Sequence, residues 1–514
     1  MSHSLAIAAP SDLAVDAARD ILAAGGNAVD AAVAAAVAAM CTEVGIVSLD
    51  AGAFVTVWPR GGEPRVVEGC VAMPGSARPE ERFGRGGIPV RVAYGGGVDM
   101  VVGCGAVAVG GAVAALGETA GRWGALPWAR ILEPAASRVR EGFPLSHASR
   151  TWLEYSHEAV FGWQKESHAL VHDEAGNIRE AGHSMHIPRL ADTLELLGRE
   201  GPGCLYGGEL GRAIAERVDA GDGLLSLEDL AAYRARVCDP LEDTMGDWTV
   251  AMPPPPSLGG AALAAMMAML GHEPQPEWSP EDVARLAEVQ RAVFGFRNDH
   301  VFTADDPPAA VARLLAWARQ EGEAIDRLRS PSTIHVSVVD AEGMGCAVTA
   351  SSGYGSGVFV PSAGLWLNNC LGEIELNPRG FHALPPGRRL GSNMAPTVGR
   401  REDGAVLAVG SPGAERITTA ILQVLINFTR LGMSLAEAID APRLHVERTA
   451  DGWCAAAEPG LPLDALAMPH RCFEELSMFF GGVGAALVDG SGRLEAAADP
   501  RRRGSARVLG SGRA

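Results

Sequence analysis

At 514 residues the chain is long enough to bury one large core or two ordinary ones. A net charge of −19, an isoelectric point near 5.2 and the lack of a basic stripe with interleaved aromatics argue against nucleic acid and anionic membrane as partners. The nine cysteines are odd in number and scattered, without a CxxC pair or metal-like Cys/His spacing, so neither metal nor cofactor is expected. They read as small buried hydrophobes in a reducing compartment. Residues 1–10 lack the basic and long apolar regions of a leader. The Ala-rich run over 31–40 is shorter than the roughly 20 residues that cross a bilayer. The expected location is cytoplasmic.

In chain order, Ser11 is placed to cap a helix over 12–24 that Gly25-Gly26 stops. Asn27-Ala28-Val29-Asp30 is the start signal for a second, Ala-rich helix to about residue 41, whose small side chains let it lie close to a sheet. Residues 53–58 and 65–68 read as a hairpin over Arg60-Gly61-Gly62. From about 110 to 270 the pattern is helical, clearest over 131–139 and 187–197. Pro253-Pro254-Pro255-Pro256 is a rigid connector by composition; a ligand for a proline-recognising domain is the minor alternative. Residues 301–332 read as a helix followed by a loop. Tyr354-Gly355-Ser356-Gly357 is glycine-rich, but no P-loop lysine follows, which rejects a phosphate cradle.

The chain is organised around residues 332–340. Ile334, Val336 and Val338 alternate with His335, Ser337 and Val339, the period of a strand with one face on the core. Asp340-Ala341-Glu342-Gly343 is a turn and 346–351 the returning strand. A Thr opening such a strand, just after Arg329-Ser330-Pro331-Ser332, is most often only a β-branched strand starter. It could also be a nucleophile exposed by chain cleavage, its new α-amine serving as base. The strand alone favours the structural role.

Thr333-Ile334-His335 followed by Ser337-Val338-Val339-Asp340 resembles the start of the small subunit in the γ-glutamyltranspeptidase family. Those proteins are N-terminal-nucleophile (Ntn) hydrolases, zymogens that cut themselves before the Thr that becomes their nucleophile. Gly25-Gly26-Asn27-Ala28-Val29-Asp30-Ala31-Ala32-Val33-Ala34 is nearly letter for letter what the family has near its start. Leu227 to Tyr233, Pro253 to Gly260 and Gly364 to Asn369 match further landmarks. So do Asp440 to His445 and Asp499-Pro500-Arg501-Arg502, both read as structural. The resemblance implies an α+β fold, the four-layer αββα sandwich. It implies cleavage between Ser332 and Thr333, with 1–332 as large-subunit and 333–514 as small-subunit segment of one domain. A homo-oligomer is left open.

What the family does at each position carries over residue by residue. Thr333 is the expected nucleophile. Ser351, eighteen positions on, keeps the supporting hydroxyl, with Thr349 its rival. The turn at Gly413-Ala414 stands where the family forms its oxyanion hole from two glycines; its second N–H keeps that role if φ at Ala414 is negative. The substrate-binding positions are Cys70, Gly353, Asn369, Glu373, Ser392 and Asn393. There the chain departs from the family. Cys70 stands where an Arg grips the glutamyl carboxylate, and a thiol cannot replace a bidentate fork. Gly353 stands where an Asn holds the α-amine. Glu373 replaces a shorter acid, Ser392 keeps one hydroxyl, and Asn393 replaces another.

These departures imply an acyl-transfer enzyme acting on a small amide or peptide-like substrate other than glutathione. Restoring Arg at 70 and Asn at 353 is expected to recover part of any lost γ-glutamyl activity. A γ-glutamyl hydrolase or transferase with a rebuilt clamp, and a self-cleaving but catalytically idle binding protein, are the alternatives.

Overall fold

The computed structural model describes residues 4–93, 97–271, 277–301, 304–319, 333–449 and 451–510. Thirteen strands matter for the site: β1 (Ser4–Ala9), β2 (Gly52–Trp58), β3 (Arg65–Gly69), β4 (Arg236–Cys238), β5 (Leu241–Met245), β6 (Trp248–Met252), β7 (Ile334–Asp340), β8 (Gly345–Ser351), β9 (Thr397–Arg401), β10 (Val406–Gly410), β11 (Gly484–Val488), β12 (Leu494–Ala498) and β13 (Ser505–Gly510). They form a seven-stranded sheet, β13-β1-β7-β8-β2-β3-β4, and a six-stranded sheet, β12-β11-β10-β9-β6-β5, every pairing antiparallel.

The helices used below are α1 (Asp12–Ala23), α2 (Ala28–Thr42), α3 (Ala112–Trp123), α4 (Trp128–Glu141), α5 (His147–Ser156), α6 (Leu258–Leu270), α7 (Pro280–Phe296) and α8 (Arg416–Thr429). Apolar faces of α1 to α3 pack on the outer face of the larger sheet, and α4 packs on α1 and α2. Those of α6, α7 and α8 cover the smaller sheet. Between the sheets, Ala6, Trp58, Val339 and Ala347 of one meet Ala251, Val398, Val406 and Ala486 of the other. The layers are therefore α, β, β, α, as expected. Segments before and after residue 333 both supply strands to both sheets, so a cut there would leave two chains sharing one sandwich. No helix among the described residues is long and apolar enough to cross a membrane.

Local chemistry explains the elements nearest the site. Every residue of α2 is buried, which its Ala content permits because the backbone can then lie tight between its neighbours. Its start is the expected capping box: Asn27 accepts from the amides of Val29 and Asp30, and Asp30 accepts from that of Asn27. Asp340, at the end of β7, also accepts from the Ala28 amide (3.2 Å), tying the motif strand to α2. Ser11 does occupy the N-cap of α1, but its side chain makes no capping bond.

Two expectations need correction. The segment from 110 to 270 is not helical throughout. Residues 236–252 form β4, β5 and β6, whose partners include β3 and β9, far away in the chain, so local periodicity carries little of the signal. Nor does β7 expose a polar face: all but its last residue are buried, because His335 and Ser337 point between the two sheets. A central strand of a four-layer sandwich is covered on both sides.

Candidate active site

Ile334 pairs with Ala350 in the β7–β8 ladder. Continuing that register by one residue sets Thr333 opposite Ser351. Thr333 is buried and Ser351 half-buried. The Ser351 hydroxyl accepts from the Gly353 amide (3.2 Å). Ser332, and with it the expected cleavage bond, lies outside the described residues.

Thr349 is committed elsewhere. Ser337 donates to the Gly484 carbonyl (3.1 Å), so its oxygen accepts from His335 Nε2 (2.7 Å). Nδ1 is then the unprotonated nitrogen and accepts from the Thr349 hydroxyl (2.8 Å). Burial drives the His335 pKa down to about 3, so the ring is a neutral crosslink beneath Thr333. Of the two candidate hydroxyls on β8, Ser351 is the one set opposite Thr333.

Two separate cavities flank this pair at one end of the sandwich. The smaller, about 30 Å³, lies beyond Ser351 and is lined by Gly52, Cys70, Ser351, Glu373, Ser392 and Met394 among others. It brings together four of the expected site residues: Cys70, Ser351, Glu373 and Ser392. Cys70 is 1% exposed. Burial, reinforced by the Glu68 carboxylate, pushes its thiol up, and Sγ lies 3.3 Å from the Leu390 carbonyl. The guanidinium near it, Arg389, is held on Glu68 (3.1 Å) and stacked 3.9 Å over Tyr233.

The remaining substrate-binding candidates shape this loop without lining the cavity. Asn369 accepts from the Tyr354 amide (2.6 Å) and donates to the Val101 carbonyl (3.3 Å). Asn368 spans Asp50 and Ala108, and burial raises the Asp50 carboxyl to about 7 against those hydrogen bonds. Gly353 has φ +63°, and a Cβ there would come within 2.2 Å of Asn369 Oδ1 and 2.6 Å of Glu373 Oε1. Asparagine at 353 therefore requires the side-chain ends of Asn369 and Glu373 to turn aside, a condition on the expected restoration. Asn393 accepts from buried Arg297 (3.2 Å), whose guanidinium also pairs with Glu415.

The larger space lies on the other side of Thr333. Glu43, Thr333, His335, Pro412 and Arg502 line a cavity of about 60 Å³. Ile46, Ala148 and Arg502 are shared with an adjoining one of about 200 Å³. Glu43, at the end of α2, is buried; burial raises its carboxyl while the Ser146 hydroxyl, donating at 2.6 Å, opposes the rise. Neither Glu43 nor Arg502 was expected in the site. The first has no sequence signal beyond its place after α2, and the second sat in a segment read as structural.

Pro412 leads directly into Gly413-Ala414. Gly413 has φ +126° and Ala414 φ +61°. The condition attached to Ala414, a negative φ, is thus not met: the alanine takes the left-handed conformation a second glycine would take, at a cost of about 1 kcal/mol, and still keeps its N–H. Neither amide has a hydrogen-bond partner among the described residues. Glu415 and Arg297 anchor the turn from behind.

An αββα sandwich of two antiparallel sheets, with a Thr at the head of a central strand, defines the class of Ntn-type hydrolases. The sequence matches the γ-glutamyltranspeptidase family model over residues 14–509, and the chain belongs to that family. It is 30% identical to the glutathione hydrolase proenzyme of Pseudomonas aeruginosa, covering 98% of this chain and 94% of that protein. It is likewise 30% identical to the acylase ACY 1 proenzyme of Pseudomonas sp. strain SE83, over 97% and 92% of the two chains. Among solved structures it resembles cephalosporin acylase from Bacillus halodurans, with a TM-score of 0.80, 24% identity and coverage of 98% and 96%. The protein is accordingly an acyl hydrolase or acyltransferase of the Ntn type, of a family made as proenzymes.

Proposed function

We propose that Thr333 is the nucleophile, released by self-cleavage after Ser332, and that the substrate is an amide or related acyl compound without a glutamyl head. In the first stage the Thr333 hydroxyl attacks the Ser332 carbonyl, giving an ester. Water cleaves it to a Ser332 carboxylate and a free Thr333 α-amine. That amine, titrating at about 7.7–8.0 when unperturbed, takes the hydroxyl proton as Oγ attacks the substrate carbonyl. The Gly413 and Ala414 amides receive the developing oxyanion, and the proton passes to the departing amine. Water or an amine acceptor then releases the acyl group.

The observation that carries the substrate reading is the small cavity. Its wall at position 70 is a buried, protonated thiol, and its roughly 30 Å³ is room for about two or three water molecules. A zwitterionic glutamyl head needs charged partners and more space. Glu373 and Ser392 in the same wall favour the second reading, a γ-glutamyl enzyme with a rebuilt clamp. The relatives named glutathione hydrolase and acylase stand on either side of that choice.

Thr333→Ala tests the core of the proposal. The variant should remain one chain, while wild type yields two, the smaller beginning Thr-Ile-His. Activity on any acyl substrate should fall on the order of 10⁴-fold or more. Full-length wild type after long incubation would refute the assignment. We also propose a cytoplasmic location, supported by nine cysteines without a disulfide, and testable by fractionation.

A further inference from the structure

The larger cavity has the composition of a ligand site that no catalytic step above uses. One wall is α5, presenting His147, Thr151, Trp152 and Tyr155; the opposite wall is the turn Arg501, Arg502 and Arg503 with Met478. Trp152 is held by stacking on Tyr354, ring centroids 5.9 Å apart. Tyr155 is 40% exposed and closes the rim.

The arginine turn is rigidly founded. Arg501 donates to Glu458 (2.7 Å), Asp499 (3.2 Å) and the carbonyls of Ile439 and Ala441. Arg443 meets Asp499 on its other side (2.6 Å). Within that cluster two guanidinium and two carboxylate groups cancel. Arg502, which donates to the Met478 carbonyl (3.4 Å), and Arg503 lie beyond it on the wall of this cavity, and Arg502 also lines the adjoining Thr333 cavity with Glu43 and Asp499. The Arg502 NH2 lies 3.6 Å from where a Cβ on Gly413 would sit. The space therefore runs from the arginines, past Ile46 and Ala148, into the cavity that Thr333 lines.

We propose that this cavity binds a carboxylate borne on an apolar part of the substrate, with Arg502 and Arg503 on the carboxylate and Trp152 and Tyr155 on the apolar body. Guanidinium forks suit a carboxylate, and flat rings suit an apolar or aromatic body. The inference rests on Thr333 as nucleophile. It extends that reading by placing the recognised charge on the side of Thr333 away from Cys70. The carboxylate can belong to the amine or to the acyl portion.

The test uses processed two-chain protein and three probes: 5-amino-2-nitrobenzoate, a carboxylated aromatic amine; glutarate, a carboxylated acyl product; and 4-nitroaniline, which has no carboxylate. Calorimetric dissociation constants are measured for wild type, Arg503→Gln and Tyr155→Ala, both positions lying on the rim. One carboxylated probe should bind wild type at least about tenfold more tightly than 4-nitroaniline, weakening with added salt. The nitrobenzoate in that role assigns the charge to the amine portion, and glutarate assigns it to the acyl portion. Arg503→Gln should remove most of that preference, and Tyr155→Ala should weaken only the probe preferred by wild type. Equal binding of all probes, or a preference untouched by Arg503→Gln, overturns the proposal. Failure of the nucleophile assignment would appear separately, as absence of the cut before Thr333.

Discussion

The two cavities beside Thr333 differ in every property that decides what can bind. Beyond Ser351 the space is about 30 Å³ and walled by two buried cysteines, Met394 and one acid. On the opposite side it is several times larger and carries Arg502, Arg503 and two aromatic rings. The Gly413-Ala414 turn is tied to both regions. Glu415 and Arg297 connect it to Asn393, next to Ser392 of the small cavity, whereas a Cβ added at Gly413 would meet Gly481 and Arg502 on the large side. Catalytic parts can thus stay in place while recognition moves from one side of the nucleophile to the other.

The largest expected effect attacks the small cavity's supposed old task. Processed wild type should turn over a γ-glutamyl anilide about 10- to 10⁴-fold less efficiently than a glutathione hydrolase of the family, since one or two charge-assisted contacts of roughly 1.5–3 kcal/mol each are missing. A kcat/KM within tenfold of such an enzyme would mean Glu373 and Ser392 have rebuilt the clamp. Gly353→Asn should lower stability without raising that activity, because its Cβ would come within 2.2 Å of Asn369 Oδ1 and force that side chain off the Tyr354 amide. Next in size is Ser351→Ala, expected to cut kcat about 10²-fold on any accepted substrate while changing stability by less than about 1 kcal/mol. A loss confined to stability would make Ser351 a strand residue only.

Much of this was legible beforehand, for identifiable reasons. The β7–β8 hairpin, the α2 capping box and the turn before α8 are local patterns, written within a few residues of one another. Cys70 and Gly353 were recognisable because each departs from a motif position. What sequence could not give is what the tertiary fold alone brings together. Glu43 and Arg502, far apart in the chain, meet at the Thr333 cavity, and Trp152 joins Arg502 only in the adjoining one. Asn369 and Asn393, aligned with substrate contacts, turn out to be occupied by Tyr354 and Arg297. The left-handed Ala414 was hidden because alanine normally argues for negative φ.

His335 gives the next effect, separating the layer beneath the nucleophile from the cavities around it. Its pKa is about 3 in the folded protein and near 6.5 when unfolded, so the unfolded state takes up the proton first as pH falls. Stability should drop between pH 6.5 and 3, by at most about 1.4 kcal/mol per unit. Asp50 acts in the opposite sense. Its carboxyl is raised to about 7, so the stability it gives is present below pH 3.8 and lost on rising to 7. Urea unfolding at several pH values should therefore show a shallower acid loss in His335→Gln than in wild type, and a steeper one in Asp50→Asn. Identical slopes in all three would rule out buried, neutral His335 as the crosslink.

The smallest effect tests the turn that both cavities share. Alanine at φ +61° is strained relative to glycine, while glycine loses more entropy on folding. Where φ is positive the strain exceeds the entropy difference, so Ala414→Gly should leave stability unchanged or raise it by up to about 1 kcal/mol. Its N–H remains, so kcat should stay within about threefold. Ala414→Val should do the opposite, because a β-branched side chain is poorly tolerated in the left-handed region; a loss of at least about 1 kcal/mol is expected. The two variants read the backbone from opposite directions. If glycine destabilised the protein and valine did not, backbone strain at position 414 would be ruled out as a factor in the stability of this turn.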